Sequence, residues 1–129
     1  MKHTVRILSL NRPIEAPQTG EGPDGTRSIT EYQSLITPKD LEPRPEDHLV
    51  HGQTITTIPP GRYLFTQGKM PQDETTCEKL WRDAAEAMWL ESLWLEETLK
   101  TDRILVRILS EEEGSVYQLF REIEGPFTV

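Results

Sequence analysis

The chain has 129 residues, 35% of them hydrophobic and 28% charged, with a formal net charge of −8. That length suits one domain with one core. The acidic excess argues against a nucleic-acid binder, whose affinity rests on Lys and Arg neutralising phosphates, and against binding to an anionic membrane surface. It is compatible with cationic ligands or basic protein partners. The single cysteine, Cys77, can form no disulfide within the chain, so nothing suggests an oxidising compartment. The opening MKHTVRILSL lacks the long apolar core and small-residue cleavage site of a secretory signal. No apolar run approaches the length of a membrane span. The expected location is cytoplasmic.

In chain order, Val5–Leu10 reads as a strand, with Val5, Ile7 and Ser9 on one face and Leu8 and Leu10 on the other. Asn11 to Arg27, with three prolines and with glycines at 20, 22 and 25, is turn and loop chemistry throughout. Ser28–Ile36 (SITEYQSLI) reads as a second strand, followed by the Pro-rich, charged connection TPKDLEPRPEDH. Gln53–Ile58 (QTITTI) is rich in Thr and Ile, as strands are. Pro59-Pro60-Gly61 interrupts it before Arg62–Gln67 resumes the pattern. Pro60 and Gly61 suit the two central positions of a type II turn or a sharp bend.

A helix follows. Thr75 to Glu78 fits a capping box, and the stretch from about Thr76 to Lys100 holds no Gly or Pro. Ile104–Leu109 and Val116–Ile123 then form the arms of a hairpin across Glu-Glu-Glu-Gly-Ser. The expected fold class is α+β: an antiparallel sheet with one long helix, about 76–100, on one face and a C-terminal β-hairpin. The chain reads as one domain, 1–129, in which 1–49 supplies strands and Pro/Gly-rich loops and 50–124 a strand-helix-hairpin module.

The helix carries more apolar surface than one face needs. At about 100° per residue, Cys77, Leu80, Trp81, Ala84, Met88, Leu95 and Leu99 share one stripe, with Lys79, Arg82, Asp83 and Glu86 opposite. Trp89, Leu90, Leu93 and Trp94 fall where water is expected, and Glu91 falls near the buried stripe. Three readings account for the excess: loops cover the helix on its second side, a subunit or partner docks there, or aromatic walls and a carboxylate enclose a ligand. A Glu on an apolar face also snorkels to water or pairs with an Arg, such as Arg107 or Arg121.

Catalytic and metal-binding patterns are sparse. His48-x-x-His51 has no completing Cys or carboxylate cluster. Cys77 lies near the helix start but on the apolar stripe. The serines sit in no nucleophile elbow, and the glycines form no phosphate loop.

At Ile58-Pro59-Pro60-Gly61-Arg62-Tyr63, followed by Phe65-Thr66 and Gly68, the chain resembles the gyrase-inhibitor-like (GyrI-like) small-molecule-binding domains. The resemblance covers about residues 50–124. It implies one strand-helix-strand-strand half of a fold that pairs two such halves around a ligand cleft. Residues 1–49 show no helix between strands, so either they form something else or a dimer supplies the second half. The family's acidic ligand-binding residue lies in the last strands, near Glu122 and Glu124.

The resulting expectation is a non-catalytic small-molecule- or effector-binding domain for lipophilic cations, without cofactor or metal. Tyr63, Trp81, Trp89, Trp94 and Tyr117 would wall its pocket, and Glu91 or Glu122 would supply charge. The alternative is a protein-interaction or homodimerisation domain that uses Trp89, Leu90, Leu93 and Trp94. An enzyme ranks third, since no nucleophile–base pair can be pointed to.

Overall fold

The computed structural model describes residues 3–16, 28–37, 39 and 49–125. Among the described residues, eight strands and one helix follow in the order β1 (Arg6–Leu10), β2 (Ile14–Glu15), β3 (Ser28–Ile36), β4 (Val50–Thr54), β5 (Thr57–Ile58), β6 (Gly61–Lys69), α1 (Glu74–Trp94), β7 (Arg103–Glu111) and β8 (Gly114–Glu122). Six strands make one antiparallel sheet in the order β1-β6-β8-β7-β3-β4, and β2 and β5 make a separate two-stranded ribbon. The α+β class, the helix and the C-terminal hairpin are therefore as the sequence predicts. Residues before position 50 contribute β1 and β3 to the same sheet as the later strands.

Both faces of the sheet are covered. Alternation along β8 sends Tyr117 and Leu119 to α1, where they and Ile123, just past the strand, join Leu64, Ile104, Val106, Trp81, Ala84, Ala85 and Met88 in the larger core. Phe120 points the other way and joins Tyr32, Ile58, Tyr63 and Phe65, with Leu8, Leu10 and Ile14 packed against them. Each aliphatic side chain fully buried this way contributes about 1.5–3 kcal/mol.

The Pro-Pro-Gly stretch is the corner between the two sheets. Leu10 pairs with Gly61 in the main sheet, whereas Ile14 pairs with Ile58 in the ribbon. Both strands of this pair bend together, one through Pro13 and the other through Pro59 and Pro60. Proline has no N–H to give a ladder, so it interrupts pairing here without leaving a donor unmade. Gly61 has φ +156°, more extended than the third position of a type II turn, so the feature is a bend. A Cβ there would stand 2.9 Å from the Glu122 carboxylate.

Three boundaries differ from the sequence reading. First, Gln53–Ile58 is not one strand: β4 and β5 belong to different sheets, and the chain turns at Ile55 and Thr56, whose N–H and C=O bond Tyr32 and Ala16. Within the predicted loop 11–27, Ile14 and Glu15 form β2, too short to show a pattern.

Second, the helix N-cap is Asp73, not Thr75. Its carboxylate accepts from the Thr76 N–H at 2.8 Å and from the Thr76 hydroxyl at 2.7 Å.

Third, α1 ends at Trp94 rather than near Lys100. Leu95 is the C-cap, Glu96 adopts φ +56°, the Glu96 N–H bonds Leu93 O, and the Glu97 N–H bonds Ser92 O. This is a Schellman motif with Glu in the place usually held by Gly. Tertiary contacts then hold the segment beyond it on the sheet. Glu97 pairs with Arg62 at 2.9 Å, the Glu124 N–H bonds Thr98 O, and the Lys100 N–H bonds Glu122 O. Buried Arg121 donates to Thr101 O from beneath.

The helix faces are corrected accordingly. Trp89 is half-buried against the core rather than fully on the wet side. Leu95, expected in the buried stripe, is exposed, and Ser92 is buried in the helix's last turn. No described helix is long and apolar enough to cross a membrane.

Candidate functional site

The six residues named from sequence as ligand-binding do not converge. Tyr63 is fully buried on the face away from α1, edge-on to Phe120 at 5.8 Å, with its hydroxyl donating to Pro59 O. Burial, with the Glu122 carboxylate beside it, drives the Tyr63 phenol well above its ordinary pKa. Glu122 is paired in register with Tyr63 and is ion-paired with Lys100 at 3.3 Å. Trp81 and Tyr117 lie together between α1 and the sheet, edge to face at 5.5 Å. The Tyr117 hydroxyl is 3.3 Å from His3 Nδ1, and burial raises the phenol's pKa. Trp94, 82% exposed, stands clear of both groups, and Glu91 is half-buried on α1. Arg107, one partner foreseen for Glu91, lies on the opposite face, its guanidinium 5.9 Å from the Tyr32 ring centre and bonded to Gln118.

Two concavities bear on these residues. The first, about 350 Å³, opens beside the Pro-Pro-Gly corner and is lined by Pro60, Gly61, Arg62, Lys100, Glu122 and Ile123 among others. Both of its cations already have carboxylate partners, Arg62 with Glu97 and Lys100 with Glu122, so little charge is left to recognise a ligand.

The second runs between the first half of α1 and the sheet. It measures about 420 Å³ and is lined by Glu31, Gln33, His51, Met70, Cys77, Glu78, Trp81 and Ile108. That is within the usual size range of small-molecule sites. A smaller recess of about 70 Å³ adjoins it and shares His51, Glu78 and Trp81, adding Leu35, Leu49, Val50 and Arg82.

The elements explain the composition of the larger groove. Helical spacing brings Cys77, Glu78 and Trp81 to the side of α1 that overhangs the sheet. Strand alternation puts Glu31 and Gln33 on one face of β3. Ile108 supplies an apolar floor beside Trp81, which in turn rests on Tyr117. The Gln33 amide donates to the Glu31 carboxylate at 3.0 Å and fixes its direction.

Among the described residues the lining thus combines Met, Ile and an indole edge with two carboxylates and the His51 ring, and holds no Lys or Arg. Such a site can hold an apolar or aromatic body and attract a positive charge on it. Cys77 Sγ is 3.7 Å from Pro71 O. Among the described residues no group of three or more His, Cys, Asp or Glu side chains is placed to hold a metal ion; His48 lies outside the described residues.

Sequence reasoning found Trp81 for this groove but missed Glu31, Gln33, His51, Met70, Glu78 and Ile108. In the sequence Glu78 reads as part of a helix cap. The others come from β3, β4, β7 and the connection into α1, and no motif in the chain joins them. Compared with known protein families, curated proteins and solved structures, the chain matches none.

Proposed function

We propose that this chain is a non-catalytic binding domain that takes a small, partly aromatic cation in the groove between α1 and the sheet. The observation that carries the reading is the lining itself. A concavity of about 420 Å³ has an apolar floor of Met70, Trp81 and Ile108 and carboxylates at Glu31 and Glu78, with the His51 ring but no Lys or Arg among the described residues of its wall. Apolar contact supplies affinity in such a site, and the carboxylates favour positive over neutral ligands of equal shape. The effector-binding role implied by the GyrI-like resemblance belongs to the same proposal, with the charge assigned to Glu31 and Glu78 in place of Glu91 and Glu122.

The test uses a Trp89→Phe/Trp94→Phe chain, in which Trp81 is the sole indole reporter. Tetraphenylphosphonium is the probe, and triphenylphosphine oxide is the neutral control of related shape. Saturable quenching by the cation, weaker quenching by the neutral compound, and a roughly tenfold loss of affinity in Glu31→Gln/Glu78→Gln are expected. A flat titration, or equal affinity with and without the two carboxylates, would overturn the reading.

A further inference from the structure

The end of α1 presents a second surface, remote from the groove in chemistry and in the part of the helix it uses. Leu90, Leu93, Trp94 and Leu95 are 50%, 58%, 82% and 38% exposed. Of the six large hydrophobic residues exposed among the described residues, four fall within these six consecutive positions. Scattered exposed apolar residues are ordinary, but a contiguous group with a Trp at its centre marks an interaction surface.

Its charge surroundings select the partner. Glu86 stands one turn before Leu90 on the same helix side, and Glu91 lies three and four residues before Trp94 and Leu95. Glu86 and Glu96 are exposed. The last turn of the helix contains no basic residue, so the negative end of the helix dipole adds to these carboxylates. The nearby cations Arg62 and Lys100 are engaged by Glu97 and Glu122.

From this juxtaposition of apolar residues with predominantly negative charge, we infer that the C-terminal end of α1 docks a basic amphipathic segment of another protein. Leu, Ile or Phe side chains of that segment cover Leu90, Leu93 and Trp94, and its Lys or Arg residues meet Glu86, Glu91, Glu96 and the helix terminus. A second copy fits poorly, because each chain carries a net charge of −8 and would bring its own carboxylates to the contact. An anionic membrane is disfavoured for the same reason.

The experiment measures fluorescence anisotropy of a labelled amphipathic helical peptide of Leu and Lys, with a Leu and Glu peptide of the same pattern as control. The full chain is the titrant. Saturable binding of the Leu/Lys peptide at or below about 100 µM, weakening with added salt, with no binding of the Leu/Glu peptide, is expected. Trp94→Ser and Leu93→Ser, both at exposed positions that leave the core intact, should each weaken binding about tenfold or more. Glu31→Gln/Glu78→Gln should leave it unchanged, which separates this surface from the groove. Absence of Leu/Lys binding, or binding indifferent to Trp94→Ser, overturns the inference. So does a wild-type dimer in sedimentation equilibrium that Trp94→Ser dissociates, since a second copy would then be the occupant. Binding to phosphatidylserine vesicles that Trp94→Ser abolishes would likewise reassign the surface.

Discussion

Tyr117 lies across Gly68, its register partner on the neighbouring strand, and the missing side chain at Gly68 is what admits the ring. A Cβ at position 68 would stand 2.6 Å from the Tyr117 hydroxyl oxygen and within 3.0 Å of two ring carbons. Trp81 rests on that ring, so the glycine fixes the height of the groove floor two residues removed. Gly68→Ala must therefore push Tyr117 outward against Trp81. Equilibrium denaturation should show a loss of about 1–3 kcal/mol, the usual range for overpacking a core. Wild-type stability in Gly68→Ala would mean the ring has room to move.

Glu96 makes the opposite prediction. A non-glycine residue in the left-handed region carries a backbone penalty of about 1 kcal/mol, and Glu96 sits there at φ +56° as the turn residue of the Schellman motif. Glu96→Gly should stabilise the chain by up to ~1 kcal/mol, offset in part by the looser unfolded chain. Urea unfolding of the pair reads this directly, and destabilisation by Glu96→Gly would mean the carboxylate contributes more than the strain costs.

That motif also explains what was legible in the sequence and what was not. Residues 103–122 show two apolar-alternating runs around a Gly-containing turn, and the hairpin forms there. The start of the helix was legible within a few residues, because Asp73 and Thr75 both lie in a cap-rich stretch. Its end was not, because the terminator is a Glu in a left-handed conformation, followed by a segment that the Glu97–Arg62 pair and backbone bonds to Glu122 and Glu124 hold on the sheet. Pro59-Pro60-Gly61 announced a bend, but only pairing revealed that it carries the chain from the ribbon to the main sheet. The groove was least legible. Trp81 is on the helix, Gln33 on β3 and Ile108 on β7, and spatial neighbours drawn from separate strands leave no local pattern.

Two groups give the fold an acid sensitivity with a defined sign. Burial holds His3 below its ordinary pKa beside Tyr117, against the partial opposition of Asp83. Its folded value lies below its unfolded value, so the folded state favours the neutral ring. That stability is present above about pH 6.5 and is lost as pH falls through the depressed value. Bonds from Thr76 hold the Asp73 carboxyl below its usual range, so its contribution is present above about pH 4 and is lost on further acidification. Thermal melts from pH 8 to 3 should show both steps. His3→Gln should remove the upper one and Asp73→Ala the lower, whereas unchanged melting profiles would show that neither linkage operates.

The hydroxyl of Tyr63 ties the main sheet to the corner through Pro59 O. Tyr63→Phe keeps the ring packing against Phe120 and removes that bond, and Pro59 is exposed enough for water to replace it. A loss of about 1 kcal/mol is expected, with the ribbon protons exchanging faster than those of β7 and β8 in hydrogen-exchange NMR. Uniform acceleration across the sheet would contradict a local role for the corner.

Backbone amide chemical-shift mapping during titration with tetraphenylphosphonium tests the groove most directly. A cation seated in the groove gives saturable shifts concentrated at Gln33, Met70, Cys77, Glu78, Trp81 and Ile108, with Leu93 and Trp94 still. Shifts centred on residues 90–95, or none at all, would contradict it.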